Sequence, residues 1–264
     1  MNLETAKQEF IKYAEKYDTT NSNIKRKINH SLRVMALSLK IAQNLGMDEA
    51  DIEVATLIGL LHDIGRFDQM KIYNTFNDQI SVDHGDYGAE VLFKNNYIRK
   101  YIQEDVYDEI IKTAIKNHNK LTIQEDLNKN QLLFAKIIRD ADKLDIMYQA
   151  TCITWQNEIE KVENAKLESN NIAPFAEKRL VNRKKDLINE DETKAHLLTV
   201  LGFPFDINFD ITFKIIKEKD YINKIVSRFN FKDKQTKKLV NEIVKIVNDY
   251  IKDKCKSYNE DEEI

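Results

Sequence analysis

The run IEVATLIGLL, residues 52–61, is followed directly by His62 and Asp63. Wound at 3.6 residues per turn it is apolar nearly all round, which predicts a helix in the middle of a bundle rather than on a surface. A carboxylate left unpaired at the buried end of such a helix costs several kcal/mol. Either something offsets that charge, or the helix ends at a surface turn where the pair carries little meaning. The rest of the chain decides between the two.

Its punctuation is helical. Only 6 Gly and 2 Pro occur in 264 residues, too few for the turns of an all-β or α/β fold, while 42% hydrophobic residues suffice for a substantial core. Phe10, Tyr13, Ala14 and Tyr17 fall on one face of a first helix. A second, from Ile24 to Leu45, carries Ile28, Leu32, Met35, Leu39 and Ala42 at steps of three and four and stops at Gly46. Asp48 caps the apolar helix, which ends near Gly65. DHGDYGAEVLFKNNY reads as a loop leading into a helix, and VYDEIIKTAIKNH and NQLLFAKIIRDADKLDIMYQA read as two more.

Beyond residue 156 the pattern loosens, so the expected domains are 1–156 and a helical C-terminal extension, 157–264. Pro174 in a polar setting predicts a long connection, two further helices follow, and the tail NEDEEI is expected to fray. Phe205, Phe209 and Phe213 recur every four residues, which predicts a core stripe on one helix rather than a base-stacking pocket.

Net charge is −3 despite 32% charged residues, which argues against general nucleic-acid binding by phosphate neutralisation. Cys152 and Cys255 share no metal-ligand spacing and read as free thiols. No apolar run approaches the ~18 residues of a membrane span, and the first residues do not read as a signal peptide. The expectation is a cytoplasmic protein without membrane contact; oligomeric state is not legible.

Four of the 5 histidines lie between positions 30 and 118. His30 falls in the second helix, His62 and Asp63 end the third, His84 opens the next element, His118 ends the one after, and Asp142 stands on the following helix. Bundle cores build metal sites in this way, each facing helix projecting an inward ligand. Imidazoles with carboxylates suit Mn, Fe, Co, Ni, Zn or Mg, and a divalent cation offsets the cost of gathering carboxylates in a core.

His30 in INHSLRV, His62–Asp63 in LLHDIGR and Asp142 in IRDADKLD resemble the pattern of the HD-domain superfamily of metal-dependent phosphohydrolases. The resemblance covers roughly residues 24–150. It implies an all-α HD-type bundle, with Asp142 as the last ligand rather than Asp140 or Asp145. Some members carry two further histidines between the pair and the final Asp, a place that His84 and His118 occupy, implying two ions with Asp63 bridging. The implied reaction is metal-assisted hydrolysis of a small-molecule phosphomonoester or phosphodiester, a nucleotide or nucleotide-like molecule. Asp63 and Arg66 would be catalytic, Arg66 holding a substrate phosphate. Arg33 would contact substrate or make an ion pair. Two alternatives stay open: a di-iron oxygenase of the same superfamily, and a non-catalytic nucleotide-binding sensor. His196 has no matching context and reads as structural.

Overall fold

Helices begin where the sequence supplies side-chain acceptors for their first amides. The computed structural model describes residues 1–181, 186 and 191–261, and no strand occurs among them. The chain divides into two compact units, residues 1–145 and 146–264. The division falls inside a helix, whereas the sequence pattern puts a boundary after residue 156.

The first unit contains α1 (Leu3–Ala14), α2 (Ser22–Asn44), α3 (Glu49–Leu61), α4 (Gly65–Tyr73), α5 (His84–Phe93) and α6 (Asp108–Asn117), followed by most of α7 (Lys129–Cys152). Asn2, Asn21, Asp48 and Asp83 each accept a backbone N–H in the first turn of α1, α2, α3 and α5, satisfying donors that a helix start leaves open. The central helix is α3, whose Val54 to Leu61 are all buried, and it packs against α1, α2 and α6. Burying one such Leu or Ile contributes roughly 1.5–3 kcal/mol.

The buried face of α2 differs from the expected one. Ile28, Leu32, Met35 and Leu39 are only half-buried, and the stripe that reaches the core is Ile24, Ser31, Val34, Ser38 and Ile41, with Ala42 common to both. The cause is close approach. A Cβ added to Gly59 of α3 would lie 2.5 Å from Ser38 Oγ and 2.9 Å from the Val34 carbonyl, so the helices touch where small residues meet. Polarity is misleading at these positions, because serine serves here for its size.

Gly65 does not simply end α3. His62, Asp63 and Ile64 form a turn, and Gly65 opens α4. A Cβ on Gly65 would lie 2.8 Å from both the His84 carbonyl and the Gly88 amide, so this glycine lets the start of α4 rest against the start of α5. The His62–Asp63 turn is thereby brought beside His84.

The second unit, described by itself, contains α8 (Ile159–Glu163), α9 (Ala173–Ala176), α10 (Glu192–Gly202), α11 (Asp210–Lys219), α12 (Tyr221–Ser227) and α13 (Lys234–Asp261). Leu239, Val240, Ile243, Val247 and Ile251 give α13 a continuous buried stripe. The expected long connection around Pro174 is instead broken by a 3-10 turn, Ser169–Ile172, and by α9, where proline sits in the first turn and needs no amide partner. The phenylalanine stripe is also corrected. Phe205 lies in a 3-10 turn, Phe209 precedes α11 and only Phe213 is inside it; Phe205 and Phe213 meet through the Tyr250 ring at 5.0 and 5.8 Å. The expected frayed tail is helical as far as Asp261, and residues 262–264 lie outside the described residues. Cys152 and Cys255 are free thiols. No described helix is long and apolar enough to cross a membrane.

Candidate metal centre

Each of four histidines has its Nδ1 engaged, which turns its Nε2 inward. His62 and His118 follow the last residues of α3 and α6, and each reaches back three residues to a free helix-end carbonyl: Nδ1 of His62 to Gly59 at 2.9 Å, Nδ1 of His118 to Ile115 at 2.6 Å. A carbonyl oxygen only accepts, so both Nδ1 atoms carry the hydrogen. His30 Nδ1 donates to Asp145 Oδ2 at 2.6 Å, and His84 Nδ1 to Asp78 Oδ2 at 2.5 Å. Carboxylate and carbonyl partners of this kind fix the tautomer and orientation of metal-binding imidazoles.

The inward atoms form two opposed pairs. His30 Nε2 and His62 Nε2 are 3.2 Å apart, and His84 Nε2 and His118 Nε2 are 3.0 Å apart. Asp63 lies between the pairs and is divided between them. Its Oδ2 is 3.3 Å from His30 Nε2 and 3.7 Å from His62 Nε2, while its Oδ1 is 3.5 Å from His84 and 3.6 Å from His118. Asp142 Oδ1 joins the first pair, 3.1 Å from His30 and 3.7 Å from His62.

Two ligand atoms each about 2.1 Å from one ion lie about 3.0 Å apart at right angles and about 3.4 Å apart in a tetrahedron. The observed spacings fall around those values. His30, His62 and Asp63 form one group able to hold an ion, and Asp63, His84 and His118 another; a third, His62, His118 and Asp142, overlaps both, so the six residues make one cluster. Facing Nε2 lone pairs repel unless a cation, metal or proton, stands between them. That is the test these residues pass as a metal centre.

Charge in the cluster follows from burial. Burial lowers the His62 imidazolium despite the nearby Asp63 and Asp142, and burial together with Arg66 lowers that of His84 to about 4. Burial and Lys27 would also depress His30, but hydrogen bonds to Asp142, Asp145 and Asp63 outweigh them and lift it to about 10. Without an ion, His30 therefore holds the proton that stands in for one. Asp63 and Asp142 are held far below the ordinary carboxylate range: burial opposes this, but Lys27 and the imidazoles around Asp63, and His30 and His62 around Asp142, prevail.

Arg66 is neither solvated nor mobile. Its Nη1 donates to Gln69 Oε1 at 2.6 Å, the Phe76 carbonyl at 2.7 Å and Asp78 Oδ1 at 2.8 Å. Its Nε is buried without a hydrogen-bond partner, 3.7 Å from Asp63 Oδ1. Arg33 makes the ion pair: Nε and Nη2 grip Asp145 at 2.5 and 3.0 Å, so it supports His30 through that carboxylate. Asp140 is fully buried and belongs to none of the three groups. His196 stacks near Trp155 in the second unit, with ring centroids 5.0 Å apart.

Several residues of this region escape sequence reasoning. Lys27 places Nζ 2.6 Å from Asp63 Oδ2; its signal is its position one turn before His30 on α2. Asp78, in the 3-10 turn Asp78–Ile80, has no periodic signal at all, yet one of its oxygens holds Arg66 and the other orients His84. Arg139 is buried on α7 and donates to the carbonyls of Asn117, Lys120 and Leu121, fixing the segment that follows His118. Asp78→Ala is expected to weaken one ion selectively, by roughly the 10–100-fold that loss of an outer partner costs. Metal titration of the variant checks this, and equal weakening of every ion would mean that Asp78 merely holds the fold.

Comparison with known proteins agrees with the geometry. Residues 28–147 match the family model of the HD domain, a stretch that includes all six residues of the cluster. No curated protein and no solved structure matches the chain. By that match, the stretch that carries the cluster is similar to the HD domain.

Proposed function

We propose that the cluster is the catalytic centre of a phosphohydrolase acting on a phosphomonoester or phosphodiester of a nucleotide or nucleotide-like molecule. The observation that carries this reading is the division of the Asp63 carboxylate between two imidazole pairs. His30, His62, Asp63 and Asp142 would hold one divalent ion, and Asp63, His84 and His118 a second. Such a pair supplies Lewis acidity toward phosphoryl oxygens and lowers the pKa of a water to about 7.

The chain's own residues bind and orient. With Nη1 of Arg66 committed to Gln69, Phe76 and Asp78, the Nε and Nη2 hydrogens remain as a fork of the shape that two phosphate oxygens fit. Preorganised donors of this kind stabilise charge that develops in the transition state without having to move. Asp78 ties that fork to the His84 ring, so phosphate contact and metal ligand are set by one carboxylate. Lys27, beside Asp63, offsets the carboxylate's charge and helps to keep it ionised.

Elemental analysis of protein purified without chelator, followed by assays on nucleoside mono-, di- and cyclic phosphates, tests the reading. About two ions per chain with hydrolysis supports it; bound iron with oxygen consumption and no hydrolysis overturns it. His84→Ala and His118→Ala are each expected to lower the metal content from about two ions to about one. A wild-type chain that saturates with one ion would remove the second site.

A further inference from the structure

Three cations surround one half-buried aromatic ring beside the cluster. Lys27 Nζ lies 5.4 Å from the Phe76 ring centroid, the Arg66 guanidinium carbon 5.5 Å and that of Arg26 6.0 Å. The Phe76 carbonyl is itself held by Arg66. The attraction of a cation to an aromatic face is too weak to offset the mutual repulsion of three.

Their counter-charges are unequal. Arg66 has Asp78 at 2.8 Å and Lys27 has Asp63 at 2.6 Å. Arg26 is half-buried and has no ion pair among the described residues. Burial and the neighbouring Arg66 both depress its guanidinium, the mark of a charge kept in place without compensation. Asp63 would in addition be shared with two ions, which leaves Lys27 under-compensated. The scissile phosphate is already provided for by those ions and by the Arg66 fork. Arg26 and Lys27 are therefore surplus to one phosphate, and the cations on the Phe76 ring leave it poorly suited to stack a base.

We propose that Arg26 and Lys27, mounted on Phe76, form a second anion subsite beside the metal centre, so that the substrate carries a further phosphate next to the one hydrolysed. This rests on the phosphohydrolase reading and narrows it to diphosphate-bearing molecules, such as nucleoside diphosphates. A guanidinium presents a fork to two phosphate oxygens, which a lysine cannot reproduce.

Titration calorimetry of the metal-loaded full chain, with metal content measured before and after, compares methylenediphosphonate with inorganic phosphate. The wild type is expected to bind the diphosphonate about tenfold tighter or more, as one added charge-assisted contact allows. Arg26→Ala is expected to bring that ratio close to one, and Arg26→Lys, which keeps the charge and the fold, to an intermediate value. Equal affinities in the wild type, an unchanged ratio in Arg26→Ala, or equal weakening of both probes would each overturn the subsite. If the preference exists and Arg26→Ala removes it, but the loaded protein hydrolyses no phosphate ester, the subsite stands and the hydrolase reading falls. Hydrolysis of monophosphates without any diphosphonate preference would remove the subsite and leave the hydrolase reading in place.

Discussion

Asp63→Asn is expected to abolish retention of both ions and to lower hydrolysis by well over the roughly 10–100-fold that loss of an outer partner costs. The side chain is 3% exposed, and its two oxygens face different imidazole pairs. Asparagine has the same shape but only one acceptor oxygen and no charge. Whichever way its amide turns, an NH2 group confronts Nε2 lone pairs where an ion should sit. A substitution that broke a fully buried ion pair would cost about 3–5 kcal/mol. Lys27 is 18% exposed, however, and can turn its ammonium toward water, so the variant is expected to fold with a smaller loss. Elemental analysis, a hydrolysis assay and a circular-dichroism melt on the same sample separate the outcomes. A folded variant that keeps its ions and its activity would remove Asp63 from the mechanism.

The helical elements are legible in the sequence because α1 and α6 are periodic, α3 is one unbroken apolar run, and α1, α3 and α5 each start on a side-chain cap. The buried face of α2 is not, because period alone cannot distinguish a serine that faces solvent from one that admits a neighbouring backbone; Ser31 and Ser38 are both buried, and Ser38 lies against Gly59. The same limit applies to the phenylalanines at 205, 209 and 213, whose spacing mimics a helix while a turn and a helix start intervene. At the cluster, His30, His62, Asp63, His84, His118 and Asp142 are readable as a set because each stands on or against a helix with a clear inward face. Their supports are not. Asp78 and Phe76 act from a segment without periodicity, held to α4 by Arg66 and by Gln69, whose amide donates to Asp78 Oδ1 at 2.9 Å and Ser81 Oγ at 2.8 Å. Asp145 enters the sequence pattern only as a rival ligand to Asp142. One turn apart on α7 the two divide the work, Asp142 facing the His30 and His62 Nε2 atoms and Asp145 holding the His30 Nδ1.

Removing metal is expected to lower the melting temperature, by an amount that grows as pH climbs toward about 10, the value to which the His30 imidazolium is lifted in the metal-free protein. An ion that binds only the native state adds about 2.7 kcal/mol at a hundredfold excess over Kd, or on the order of 5–10 °C for a chain of this size. The ordinary histidine value is about 6.5. A base raised in the folded state contributes stability that is complete below the unfolded value and is lost as pH climbs through the folded one. The stripped protein should therefore weaken progressively above about pH 6.5. The loaded protein does not carry that proton, and binding to the native state becomes about tenfold weaker for each pH unit that the solution falls below the folded value, because the ion must displace one proton there. With ligand fixed at a hundredfold excess at pH 7, the benefit near pH 5 shrinks to about 0.4 kcal/mol. Melting curves with and without chelator, at intervals from pH 5 to pH 9 and with loss of metal confirmed at each, measure the difference. Coincident curves at neutral pH would mean that ordinary hydrogen bonds and the His30 proton suffice to bury His62 and Asp63. A chelator effect that is present but independent of pH would keep the ion and remove His30 as the group it displaces a proton from.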